Sequence, residues 1–133
     1  MSALPSDSEL DGSISIDQFG DVTVVRLIGD HDICTAAQLR AELDASTVAG
    51  GLVVSLVETT FLDSSVVHAL LAADRRMTER KRSLVIQVAT PSIVERVLEL
   101  SGIKQKVRCT PSFEEAVAAA AEVEVETVEW STP

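Results

Sequence analysis

Two stretches of this chain gather side chains that could do chemistry. In "TTFLDSSVVHALL" (Thr59 to Leu71), Asp63, Ser64 and Ser65 stand together at the head of an apolar run, and His68 follows. In "GDHDIC" (Gly29 to Cys34), an imidazole, a carboxylate and a thiol lie close together as His31, Asp32 and Cys34. A serine nucleophile needs a base in reach, and the base needs an orienting group. Ser64 with His68 one helical turn on, or with His31 and Asp32 from the other stretch, offers part of that set. Ser64 is not in a G-x-S-x-G elbow, however, and His68 between Val67 and Ala69 has a plainer account as a helix-surface histidine. Serine hydrolysis is therefore a weak reading.

Metal chemistry has less support still. The spacing of His31, Asp32 and Cys34 matches no ligand motif, and Cys34 reads as a small buried residue. Cys109 is far from Cys34 in sequence, no C-x-x-C pair occurs, and no glycine-rich loop could cradle a phosphate. The expectation is a protein without catalytic residues, metal or cofactor.

The plainest role for Asp63-Ser64-Ser65 is a helix N-cap. Asp and Ser accept hydrogen bonds from the free N–H groups of a first helical turn, contributing about 1 kcal/mol. Only one residue can be the cap, so the cap does not account for all three. A further reading builds on it: a hydroxyl at a helix start suits a phosphate, because the helix end carries partial positive charge. Phosphorylation adds roughly 1.5 to 2 negative charges, felt by whatever docks there.

The elements that must position these residues can be read along the chain. "SISIDQF" (Ser13 to Phe19) alternates as a half-buried strand, "GD" is a turn, and "VTVVRLIG" (Val22 to Gly29) is a second strand, together an antiparallel hairpin. A helix is expected from Thr35 to Ser46, with Thr35 and Gln38 as a capping box and Leu39 and Leu43 on its buried face. "GLVVSLV" (Gly51 to Val57) and "SLVIQVA" (Ser83 to Ala89) are apolar enough to be buried on both faces of a parallel sheet. Thr59 to Ser65 reads as a loop, then a helix begins near Val66 with Val67, Leu70, Leu71 and Met77 inward. Ser92 with Glu95 and Ser112 with Glu115 cap two later helices, Gly102 stops the first of them, and "KVRC" is a short edge strand.

The order ββαβαβαβα predicts an α/β fold: a mixed four- to five-stranded sheet, about four helices, parallel core strands and right-handed crossovers. The loops after parallel strands then lie along one edge, where ligands usually bind. That edge would hold Asp30, His31, Asp32, Asp63, Ser64, Ser65 and Thr90.

Composition narrows the function. A chain of 133 residues suits one domain, expected over 13–121 between a disordered tail (1–12) and an acidic tail (122–133). The tail's alternation breaks at Val128, which favours disorder over an extra strand. Aromatics are only 3%, so the core must be aliphatic. A formal charge of −10 argues against direct nucleic-acid binding and for partners with basic surfaces. The first residues lack a signal peptide's basic start and apolar run, and no segment is long enough to insert in a membrane. A cytoplasmic protein with two free thiols is the simplest expectation. Arg75, Arg76 and Arg80 to Arg82 cluster near the end of the second helix, where cations complement the helix dipole; a patch for an acidic partner is the less supported account.

From about Ile14 to Ala120 the chain resembles the STAS-domain proteins, in particular bacterial anti-sigma-factor antagonists. "FLDSSVVHALL" is similar to that family's hydrophobic-Asp-Ser-Ser/Thr-Gly-Leu motif, and "LIGDHDICTAAQLR" to its Gly-Glu-Leu-Asp stretch. "ATPSIVERVLELSGI" and "PSFEEAV" resemble its closing segments in order and spacing. The resemblance implies the STAS fold and a stress-response partner switch without enzymatic activity. The unphosphorylated antagonist binds an anti-sigma factor that is also a serine kinase, releasing a sigma factor. The kinase phosphorylates the motif serine, by position Ser64, and binding is lost until a phosphatase resets it. Asp32, Asp63 and Ser65 would shape the site, and Val66, Val67, Thr90 and Pro91 would belong to the docking face. A monomer or weak dimer is expected. Three positions depart from the family pattern: Val66 replaces Gly, His68 replaces a small residue, and His31 replaces Leu. A β-branched Val66 is expected to crowd the helix start. These departures leave room for a non-switching STAS scaffold or a transport-system subunit.

Overall fold

The computed structural model describes residues 12–47 and 50–122. Both predicted tails, apart from their inner ends at Gly12 and Glu122, lie outside the described residues. The elements run β1 (Ser13–Phe19), β2 (Val22–His31), α1 (Ile33–Ser46), β3 (Gly51–Ser55), β4 (Thr59–Leu62) and α2 (Ser64–Glu79). Then come β5 (Leu84–Gln87), α3 (Ile93–Leu100), a short 3-10 turn (Ile103–Gln105), β6 (Arg108–Thr110) and α4 (Phe113–Ala121).

The sheet order is β1-β2-β3-β5-β6, with β4 also paired to β2. β1 and β2 form the expected antiparallel hairpin, Phe19 opposite Val22, and every other pairing is parallel. The fold is thus the mixed α/β arrangement read from the sequence, with one strand more than expected. That strand, β4, lies where a loop was predicted. Val22–Arg26 of β2 pairs with β3, and Gly29, Asp30 and His31 pair with β4, so one strand serves two partners in succession. The register shifts between Gly29 and Asp30, and Gly29 has φ of 86°, a conformation open to glycine and costly for other residues. Four residues, half of them exposed, carry too little pattern to announce a strand.

Alternate residues of β3 and β5 face two apolar clusters, as expected for strands buried on both sides. Leu52, Val54, Leu84 and Ile86 pack with Leu39, Leu43, Leu70, Met77 and Leu98 of α1, α2 and α3. Val53 and Val85 pack on the other face against Ala116, Ala119 and Ala120 of α4. The alanines let α4 approach closely. A Cβ on Gly51 would lie 1.8 Å from the Ala120 carbonyl oxygen, so β3 must begin with glycine.

Helix starts differ from expectation in two cases. α1 begins at Ile33 with Asp32 as N-cap, because the Asp32 carboxylate accepts from Cys34 N–H at 2.9 Å; Thr35 Oγ1 instead contacts the Asp32 carbonyl. α2 begins at Ser64 with Asp63 as N-cap. Ser92 and Ser112 cap α3 and α4 as predicted, accepting from Glu95 N–H at 3.0 Å and Glu115 N–H at 3.1 Å. Gly102 follows α3 as its expected stop.

Candidate functional site

Because β2, β4 and β5 are parallel, α1, α2 and α3 all start along one edge of the sheet. His31 sits opposite Leu62, which brings the two N-caps that follow, Asp32 and Asp63, side by side; Asp63 N–H donates to the His31 carbonyl at 3.3 Å.

Asp63 is held by a fan of donors. Its Oδ1 accepts from Ser65 N–H at 3.0 Å, Ser65 Oγ at 2.5 Å and Val66 N–H at 3.4 Å. Partial burial pushes its pKa up, but the Ser65 hydroxyl and the N–H groups of Val66, Ser65 and Ile33 outweigh that and hold it below the ordinary aspartate value. Asp63 is therefore a fixed anion, and the first-turn donors that a phosphate would seek are already taken.

The two serines consequently differ. Ser65 is half-buried and its hydroxyl is spent on Asp63. Ser64 is exposed, and its hydroxyl has no hydrogen-bond partner among the described residues. His68, also exposed, makes no hydrogen bond with Ser64. His31 is fully buried, with Nε2 3.1 Å from the Ser13 carbonyl and Nδ1 3.2 Å from Thr35 Oγ1. A carbonyl only accepts, so Nε2 carries the proton. His31 ties α1 to the hairpin and offers Ser64 no base. Cys34, expected to be buried, is exposed.

Val66 and Val67 correct the predicted docking face. They are 0% and 3% exposed, packed into the core on the inward side of α2. Val66 has an ordinary negative φ, since Lys81 is the non-glycine residue with positive φ among those described. The position does not use glycine's freedom. Thr90 and Pro91 are exposed on the loop into α3, where Thr90 Oγ1 donates to Glu95 Oε2 at 3.1 Å.

Sequence reasoning missed the apolar part of this edge. Ile33, Phe61 and Ile93 are 73%, 49% and 79% exposed. Ile33 and Ile93 each follow directly on an N-cap, in "DI" and "SI", outside the buried stripe of their helices. An apolar residue there has no core to fill, and that was the available signal. The edge thus combines exposed apolar side chains with a free hydroxyl and a fixed carboxylate.

A sequence-family profile described as "Mlab, STAS domain" matches residues 14–108. The chain belongs to the STAS-domain family. Solved structures similar to this STAS domain include an anti-sigma factor antagonist from Mycobacterium paratuberculosis, 20% identical, TM-score 0.77, covering 86% of this chain and 98% of that one. The anti-sigma factor antagonist SpoIIAA in its unphosphorylated form is 20% identical, TM-score 0.63, covering 80% and 96%. The Bacillus cell fate determinant SpoIIAA in the phosphorylated form is 22% identical, TM-score 0.61, covering 80% and 97%. At these identities the likeness establishes the fold. No helix among the described residues of the STAS domain is long and apolar enough to cross a membrane.

Proposed function

We propose that this STAS domain is an anti-sigma-factor antagonist switched by phosphorylation of Ser64. Unphosphorylated, it binds an anti-sigma factor that is also a serine kinase and so releases a sigma factor. Phosphorylation breaks the complex, and a phosphatase restores it. The observation that carries this reading is the difference between the serines: Ser64 alone offers a free, exposed hydroxyl at an edge rimmed by Ile33, Phe61 and Ile93. The similar structures named as antagonists, one of them in phosphorylated form, support the same role.

The geometry suggests how the switch would work. Apolar rim residues suit a partner surface that excludes water. A phosphate on Ser64 adds roughly 1.5 to 2 negative charges beside an Asp63 that stays ionised. Asp63 already holds the first-turn N–H groups, so the new charge is poorly neutralised and opposes docking of an apolar or acidic partner surface at this rim. Since Val66 is buried, its departure from glycine leaves the surface met by a kinase unchanged. Incubation with a cognate anti-sigma kinase and ATP should add one phosphate, lost in Ser64→Ala, and Ser64→Glu should abolish the complex. Modification at another residue, or tight binding by Ser64→Glu, would overturn the proposal.

The second reading is a non-switching STAS scaffold or transport-system subunit. It draws on His68, exposed one turn after Ser64 where the family has a small residue, a change on the partner-facing side of α2. Recovery of a transporter component without a kinase in pull-down would favour it.

A further inference from the structure

At the opposite edge of the sheet, between the last turns of α2 and the entrances to β5 and β6, lies a cavity of about 190 Å³. Its walls carry Arg82, Lys106 and Arg108, the hydroxyl residues Thr78 and Ser83, and one acid, Asp74. The chain has 21 Asp and Glu against 11 Lys and Arg, so three cations around one hollow run against its overall charge. Several other cations meet acids: Arg26 with Asp17, Arg76 with Asp44, Lys104 with Glu95. Lys106 and Arg108 have no acidic partner among the described residues.

Arg82 adds an independent sign. Its side chain is only 15% exposed, and one end is fixed by Nη2 donating to Asp21 at 2.8 Å. Its Nε–H is buried and has no acceptor, the only such buried side-chain atom among the described residues. Buried donors are rarely left unpaired, because nothing offsets the hydrogen bond to water that they lose. A guanidinium anchored at one end and unfilled at the other is suited to an oxyanion. The cavity is smaller than the roughly 300 Å³ at which drug-sized ligand sites begin, which points to a small anion or a single terminal phosphate group. Asp74 is the one acid facing such a ligand, and burial pushes its carboxyl up.

We infer that this cavity binds a phosphate group, its oxygens facing the charges of Arg82, Lys106 and Arg108. The site lies away from Ser64 and does not depend on the switch.

The test is a titration of the full chain with inorganic phosphate, followed by amide NMR at constant ionic strength. Saturable shifts at Thr78, Ser83 and Leu84 are expected. Both Lys106 and Arg108 are exposed, so the double variant Lys106→Ala/Arg108→Ala keeps the fold and should lose saturable binding. Arg82→Lys keeps the charge without the fork and should weaken binding about tenfold, whereas Asp74→Asn should tighten it. Shifts reproduced by sodium chloride, or unchanged affinity in the double variant, would overturn the inference whatever becomes of Ser64. A second arm separates the sources. Sedimentation with phosphatidic-acid vesicles, competed by phosphate, supports a lipid headgroup; phosphate binding without sedimentation supports a soluble phosphate compound.

Discussion

The carboxylate of Asp63 takes the hydroxyl hydrogen of Ser65 across 2.5 Å and makes no such bond with Ser64. This divides adjacent serines into one that builds the helix start and one that does not. Asp63→Ala should cost about 1 kcal/mol of stability, a typical N-cap loss, read by urea denaturation. Ser64→Ala should stay within about 0.5 kcal/mol, as for surface positions without such a role. Because the folded-state pKa of Asp63 is lowered, its contribution is full above the ordinary aspartate value and disappears as pH falls through the lowered one. Asp63→Asn should remove that part of the acid dependence.

A second pH dependence comes from α3. Lys104 Nζ lies 2.8 Å from Glu95 Oε2, which also accepts from Thr90. The Lys104 hydrogen bond leads in holding Glu95 below the ordinary glutamate value, and the Glu95 hydrogen bond leads in raising Lys104. Glu95 therefore stabilises above its ordinary pKa and loses this as pH falls through its lowered value. Lys104 stabilises below its ordinary pKa and loses this as pH rises through its raised value. In Lys104→Met, melting temperatures across pH should show a smaller acid-side loss and the alkaline contribution gone.

The end of α2 is a Schellman motif with an unusual residue. Arg82 N–H donates to the Met77 carbonyl at 2.9 Å and Lys81 N–H to the Thr78 carbonyl at 2.9 Å, which places Lys81 at φ of 60°. Glycine is the usual occupant, and a side chain there costs roughly 1 kcal/mol. Lys81 is exposed. Lys81→Gly should raise stability by about 1 kcal/mol, seen as a higher urea midpoint with unchanged slope.

The thiols should separate by reactivity. Cys34 is exposed beside the Ser64 edge, whereas Cys109 is half-buried, and burial leads in pushing its thiol pKa up. Labelling by a maleimide at neutral pH should be on the order of tenfold faster at Cys34, read by peptide mass spectrometry. A bound partner covering the Ser64 edge should protect Cys34 and leave Cys109 unchanged.

Legibility of the fold followed the strength of each local signal. The hairpin, the doubly buried β3 and β5, and the Ser92 and Ser112 caps announce themselves through alternation, apolar runs and capping boxes. At Thr35 the same box pattern misled, because Asp32 offered its carboxylate first and the helix began two residues earlier. β4 was hidden because its pairing depends on a bend at Gly29, a tertiary event that no period records. At the site, residue types located Asp63 and Ser64. Spacing placed Val67 inward, as it is, but the family resemblance put Val66 and Val67 on the docking face, where Ile33, Phe61 and Ile93 instead carry the exposed apolar area.

The Ile33 N–H at the head of α1 also helps hold the Asp63 carboxyl below its ordinary value, so one carboxylate answers to two helices. The heads of α1 and α2 are thereby yoked into a single lever. Were Ser64 phosphorylated, the added negative charge would press on that shared anion, within reach of the head of α1. On the proposed switch, a partner gripping only the α1 side would then meet the modification as well.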